Sequence, residues 1–256
     1  MRRDEWDLWF RPFRSRPCAT VRLVCLPHAG GGASFYRPWL GELPPEVELM
    51  AVQYPGRGDR LGEECAEDLT AMADRIADTL TERLDRPFAL FGHSLGAAVA
   101  FEVARRIQDR AGALLRALFV SGRAAPAHPG LRYREPDEVL WDELRRLGGT
   151  SPELVHSSEI RALVLPTLRA DYRMSETYRP APHPAVRCPL VVCLGDVDPE
   201  AKLDDARDGW RAVVSGALGL RVFPGDHFYL LPHRARVVGE VCRQLGLVAA
   251  ASPSMP

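Results

Sequence analysis

Apolar residues recur along this chain in two rhythms. Short, mostly apolar runs stand at 21–27 (VRLVCLP), 47–54 (VELMAVQY), 87–91 (PFALF), 114–120 (LLRALFV), 189–194 (PLVVCL) and 220–223 (LRVF). Runs of this length, bounded by turn residues, predict strands buried on both faces. Between them the period becomes helical. Leu69, Met72, Ile76, Leu80 and Leu84 share one helix face within 64–84, LGAAVAFEVARRIQ follows the third run, and a last helix is predicted over 234–246. Strands alternating with helices predict an α/β fold: a mostly parallel central sheet with helices on both faces.

The alternation breaks once. From 123 to 186 there is no strand pattern, only a Pro-rich start and helical patterns at 136–148 and 159–178. Pro166 lacks an N–H and crowds the preceding turn, so it is expected to kink or split the second helix. An insertion between two core strands predicts a helical lid over one edge of the sheet; the alternative is a surface excursion without a role. Its loops (APAHPG, GGTSPE, PAPHPA) bury little, so the lid is expected to open more readily than the sheet. The expected organisation is a single domain over 1–256, with a core at about 20–122 and 187–246, the lid at 123–186 and mobile ends at 1–15 and 248–256.

Composition changes this picture little. With 256 residues, 46% of them hydrophobic and 26% charged, the chain can build an ordinary core, and disorder or a fibre is excluded. A formal net charge of −1 gives no field that would draw nucleic acid or an anionic membrane. Lys202 is the only lysine among 33 basic residues, a bias that needs no functional reading. Cysteines 18, 25, 65, 188, 193 and 242 form no C-x-x-C pair and no metal-ligand spacing, so free thiols and no bound metal are expected. The first residues, MRRDEWDLWF, have no apolar secretory core, and no apolar run approaches membrane-spanning length; a cytoplasmic location is expected.

Gly92-His93-Ser94-Leu95-Gly96 matches G-x-S-x-G. The pattern alone is weak, but here a strand run precedes it and an Ala-rich helix follows. A sharp strand-to-helix turn lifts the serine oxygen clear of the sheet and demands small neighbours. The helix start behind it offers free N–H groups to a developing oxyanion. A serine needs a base to take its proton. Of the histidines at 28, 93, 128, 156, 183, 227 and 233, His227 in PGDHFYL directly follows the last strand, at the edge that holds Ser94. His93 reads as packing, His233 as a solvated or capping residue, and His128, His156 and His183 fall in the lid. The orienting acid is expected in Gly195-Asp196-Val197-Asp198-Pro199. Asp198, further into the loop, is favoured, and Asp196 reads as a turn residue. The order Ser94, Asp198, His227 is that of α/β hydrolases. For the oxyanion hole, the N–H of Leu95 and that of Ala29 in the Gly-rich turn Pro27-His28-Ala29-Gly30-Gly31-Gly32 are the candidates. That turn has no phosphate-binding frame.

Six segments together, PHAGGGASFY (27–36), QYPGRGDR (53–60), GHSLGAAVAFEVARR (92–106), LRADYRMSETYR (168–179), GDVDP (195–199) and PGDHFYL (224–230), resemble type II thioesterases, the free-standing α/β hydrolases that accompany polyketide synthases and nonribosomal peptide synthetases. The resemblance runs from about 20 to 245. It implies hydrolysis of acyl groups from the phosphopantetheine arm of acyl or peptidyl carrier proteins, clearing stalled or misprimed chains. Ser94, Asp198 and His227 would be the triad, with Ala29 and Leu95 as oxyanion donors. No cofactor is implied beyond the arm on the substrate, no nucleic acid or membrane partner, and a monomer is expected. Such carriers are acidic, so a basic rim is expected, with Arg57, Arg60, Arg123, Arg132 and Arg134 as candidates. Leu140, Trp141, Leu144, Leu147, Leu163, Leu168, Tyr172 and Tyr178 either pack the lid onto the body or line an acyl pocket. A product-releasing fatty acyl thioesterase, a general esterase or lipase, and a non-catalytic binding protein of the same fold are the alternatives.

Overall fold

The computed structural model describes residues 4–147, 157–181 and 185–247. Its framework is a seven-stranded sheet. The strands are β1 (Phe10–Pro12), β2 (Val21–Leu26), β3 (Val47–Val52), β4 (Phe88–His93), β5 (Leu115–Ser121), β6 (Leu190–Gly195) and β7 (Leu218–Phe223), in the order β1-β3-β2-β4-β5-β6-β7. All neighbours run parallel except β1, which pairs antiparallel with β3. The helices are α1 (Glu5–Trp9), α2 (Leu69–Glu82), α3 (Leu95–Ala111), α4 (Asp137–Leu147), α5 (Ser158–Thr177), α6 (Leu203–Arg211) and α7 (Arg234–Gln244), with a 3₁₀ stretch at Ala33–Gly41.

The central strands are mostly apolar because both faces are covered, whereas β7, expected to be buried on both faces, is only partly buried at the sheet edge, with Val222 exposed. Val24, Leu26, Leu90, Leu118, Val120 and Val192 pack with α2 and α3 on one face. Leu23, Cys25, Phe91, Phe119 and Val191 alternate with them and pack with Tyr36, Trp39 and α7 on the other. The parallel register aligns the strand ends: Leu26 pairs with Gly92, His93 with Ser121, Ser121 with Cys193, and Gly195 with Phe223. Every loop leaving these ends therefore opens at one edge of the sheet.

Some elements differ from the sequence expectation. Residues 5–12, expected within a mobile end, form α1 and the edge strand β1 and bury Trp6, Trp9 and Phe10 against the body. The strand is only three residues long, too short for a periodic signal. The helix α2 begins at Leu69 rather than 64, because the Asp68 side chain accepts from the N–H groups of Thr70 and Ala71 and caps it there. The short helix α6 has only Leu203, Ala206 and Trp210 as apolar residues, at helical spacing but too few to mark it in the sequence. Pro166 does not split α5, which runs unbroken from Ser158 to Thr177. Pro166 and Ala162 both lie on the exposed side of α5.

In the lid, Leu140, Trp141, Leu144, Leu165, Leu168 and Tyr172 form a small core between α4 and α5. Leu147 packs instead with the body cluster under α7, and Tyr178 with that under α3. Leu163, expected on the apolar side, is 48% exposed. The GGTSPE loop beyond Leu147, half of PAPHPA (182–184), His156, His183 and the tail from 248 lie outside the described residues.

Trp9 is 1% exposed, with the guanidinium groups of Arg60 and Arg75 over its ring. Trp9→Ala is expected to cost about 3–5 kcal/mol of stability, read by urea denaturation. A loss under about 1 kcal/mol would show that the N-terminal segment is not part of the cooperative core.

Candidate active site

The turn between β4 and α3 has no room for side chains at two positions. A β-carbon on Gly92 would lie 2.0 Å from the carbonyl oxygen of Gly96, and one on Gly96 would lie 2.1 Å from that of Leu26. Glycine at both lets α3 start directly against the strand ends. Ser94 then absorbs the change of direction, with φ 54° and ψ −115°, and is the only non-glycine with positive φ among the described residues. Its own N–H is held by the carbonyl of Ser121 at 2.8 Å. The N–H of Leu95, the first helical residue, has no carbonyl one turn back to meet.

The acid and the histidine arrive from the ends of β6 and β7. His227 is 2% exposed, and its Nδ1 lies 3.0 and 3.1 Å from the two carboxylate oxygens of Asp198. Asp198 Oδ1 also accepts from the N–H of Glu200 at 2.8 Å. Asp196 does not reach His227; its carboxylate accepts from Gly225 N–H at 2.8 Å and ties the acid loop to the histidine loop. A single cavity of about 30 Å³ is lined by Ser94, Leu95, Ala29 and His227, with Gly122, Arg123, His128 and Arg132. Tyr172, Ser175 and Glu176 of the lid helix α5 complete its wall, with Glu200. All five sequence-predicted site residues thus converge, four on the cavity and Asp198 behind His227. With α5 in this position the cavity over Ser94 is small.

Ala29 sits in a tight turn closed by Gly31 N–H to His28 C=O at 3.0 Å, with Gly30 at φ +74° in its third position. Beneath this turn lie residues that sequence reasoning passed over or read as plain packing. His28 and His93 are both buried, their ring centres 5.9 Å apart, and His93 is 4.9 Å from His227. His93 Nδ1 meets Ser121 Oγ at 2.9 Å, and Ser121 Oγ meets Tyr229 OH at 2.6 Å. Burial, then the nearby His227, lowers both histidines: His28 to about 3, His93 well below the usual imidazole range. Both stay neutral beside His227. A second positive charge next to the base would oppose its protonation.

His128, left unplaced by sequence, lines the cavity. Its Nε2 is 3.7 Å from Glu200, yet burial and the Arg123 charge lower it to about 4. The expected arginine rim is corrected: Arg57, Arg60 and Arg123 are buried, leaving Arg132 and Arg134 nearer the surface. Arg123 donates to the carbonyls of Ala125 and Pro126 and to Ser175 Oγ. Sequence could not separate these arginines from the rest, because so many are present.

The sheet order, the strained serine at a strand-to-helix turn and the buried acid–histidine pair define an α/β hydrolase. The chain belongs to the thioesterase domain family, whose model matches residues 21–245, and is a serine hydrolase of thioesters. It is 42% identical over 249 residues to Thioesterase PikA5 of Streptomyces venezuelae, covering 96% of this chain and 88% of that one. Gramicidin S biosynthesis protein GrsT of Aneurinibacillus migulanus is 34% identical over 245 residues, covering 94% and 95%. The solved structure of the type II thioesterase BorB from the borrelidin biosynthetic cluster superposes with a TM-score of 0.85 at 43% identity, covering 93% and 98%. No described helix is long and apolar enough to cross a membrane.

The neutral histidines have a thermodynamic consequence. Folding holds His28 unprotonated, whereas the unfolded chain binds a proton below about pH 6.5, so acid favours unfolding. Stability is expected to fall as pH drops from 6.5 toward about 3, by up to about 1.4 kcal/mol per pH unit for this one residue. Urea titrations at about pH 7 and pH 5 on wild type and His28→Asn check this: the variant should show the shallower acid slope. Equal slopes would mean that His28 takes up its proton in the folded protein as it does in water.

Proposed function

We propose that this protein removes acyl groups from the phosphopantetheine arm of carrier proteins in a polyketide or nonribosomal peptide assembly line, clearing stalled or misprimed chains. The observation that carries the chemistry is the buried Asp198–His227 pair opening on the same cavity as Ser94. The assignment of partner and role rests on the likeness to type II thioesterases, some of whose titles place them in NRPS/PKS biosynthetic pathways.

In this reading His227 takes the Ser94 hydroxyl proton as the oxygen attacks the thioester carbonyl. Asp198 holds the ring in the required tautomer and stabilises its charged form. The N–H groups of Ala29 and Leu95 receive the oxyanion. Collapse breaks the C–S bond, and His227 returns the proton to the departing thiolate. Water, deprotonated by His227, then attacks the acyl-serine, releasing the carboxylic acid and restoring Ser94. No cofactor takes part beyond the arm that carries the substrate. The protein is proposed to act as a monomer in the cytoplasm, meeting its carrier transiently.

Intact-mass measurement of acylated carrier proteins before and after incubation tests the substrate class. Loss of the acyl mass is expected, with kcat/KM higher on acyl-carrier than on p-nitrophenyl esters. The reverse preference would favour a general esterase. Ser94→Ala is expected to keep the fold and lose roughly 10³-fold or more in kcat. Asp198→Asn should lower kcat by orders of magnitude, up to about 10⁴-fold, whereas Asp196→Asn should do much less. Wild-type turnover in Ser94→Ala would remove the serine from the mechanism.

A further inference from the structure

A buried ion pair joins the lid to the turn that carries Ala29. Arg57 Nη1 and Nη2 donate to the two carboxylate oxygens of Asp171 at 2.6 and 2.8 Å. Asp171 is on α5 and fully buried, and Arg57 is 6% exposed. The same two side chains hold two consecutive residues of the turn. Asp171 Oδ2 accepts from Gly30 N–H at 2.7 Å, and Arg57 Nη1 also donates to the carbonyl of Gly31 at 3.1 Å. In a turn of this type the N–H groups of both central residues are left free. Here one is taken by the lid, and the other, on Ala29, borders the cavity of Ser94.

The surroundings brace this clasp. Gln53 accepts from Ala33 N–H at 2.9 Å and donates to the carbonyl of Arg57 at 2.9 Å. Thr167, one turn before Asp171 on α5, donates to the carbonyl of Gly56 at 3.1 Å. Leu168 packs over Gly30, where an added β-carbon would lie 3.3 Å from its Cδ1. Burial opposes the charge on Arg57, but Asp171 outweighs it, so the guanidinium stays charged. Breaking such a pair on one side leaves a lone buried charge, which is costly.

We propose that Arg57 and Asp171 are positioning residues that give the Ala29 turn its working shape only while α5 is seated, so that lid seating and assembly of the oxyanion hole are one event. When α5 lifts to admit substrate, Gly30 loses its acceptor and Gly31 its donor, and the turn relaxes. Reseating around the bound acyl group restores both. Chemistry is thereby confined to the closed state, from which bulk water is excluded.

This inference rests on the proposed roles of Ser94 and Ala29, so each variant is measured beside Ser94→Ala. In Arg57→Met/Asp171→Leu both charges are removed and apolar bulk is kept, which spares the fold a lone charge but leaves Gly30 N–H without its acceptor. With a propionyl-N-acetylcysteamine thioester as probe, this variant is expected to melt near the wild type and to lose roughly 10- to 100-fold in kcat, short of losing an oxyanion donor outright. KM should change by less than about threefold, the pattern of an interaction felt in the transition state. Amide exchange at 29–32 should quicken in the same sample. Asp171→Asn, which keeps an oxygen for Gly30, should fall between the two and serves as the test if the double variant does not fold. A folded variant with wild-type kcat and unchanged exchange at 29–32 overturns the proposal. Hydrolysis that survives Ser94→Ala overturns the catalytic reading instead, while the exchange measurement still reports whether the clasp orders the turn.

Discussion

The geometry of this protein is set where the first turn of α3 meets the ends of β2 and β4. Two glycines there leave no space for even one extra carbon, with Gly96 against the Leu26 carbonyl and Gly92 against Gly96. That close approach forces Ser94 into a left-handed backbone conformation, which costs on the order of 1–3 kcal/mol for a non-glycine residue. The cost is offset locally: the Ser94 N–H is bound by Ser121, and the Ser94 carbonyl accepts from Ala97 to start the helix. The parallel register then brings the loops after β2, β5, β6 and β7 to the same edge, so that the partners of the serine come from four other strand ends.

Electrostatics divides three neighbouring imidazoles into different roles. His28 and His93 lie in an apolar, aromatic setting with Phe35 and Phe228 beside them, and burial keeps them neutral. His227 differs by one contact, the carboxylate of Asp198, with both groups nearly excluded from water. Charge developing on His227 therefore meets one anion and two neutral rings. Where water is scarce, such an arrangement acts more strongly than it would in solvent. Helix α5 adds Tyr172, Ser175 and Glu176, so the cavity is small and mixes polar and apolar lining.

Much of this was legible in the sequence, and the reason differs from element to element. Strands buried on both faces read as apolar runs, because no position of β4 or β6 is spared burial. The serine was legible because its turn tolerates so few residue types. Asp198 and His227 were legible because each directly follows a strand, and the end of a strand is a fixed place in a parallel sheet. Pro166 does not split α5, since that outcome depends on the surface around the helix and not on the proline alone. The edge strand β1 was too short to carry a period, and the buried arginines were hidden among many others.

The sequence by itself determined the local events: which runs become strands, where the chain must turn tightly, and which side chains are chemically able to serve. Tertiary structure alone decided the pairings. Asp171 and Arg57 are 114 residues apart, and no local pattern marks one as the partner of the other. Their pairing depends on α5 lying across the glycine turn, and that follows from the packing of the lid core of Leu140, Leu168 and Tyr172. The same holds for His28 and His93. An imidazole is titratable in any sequence, and whether it carries charge depends on how much water and how many neighbouring charges the completed fold leaves around it.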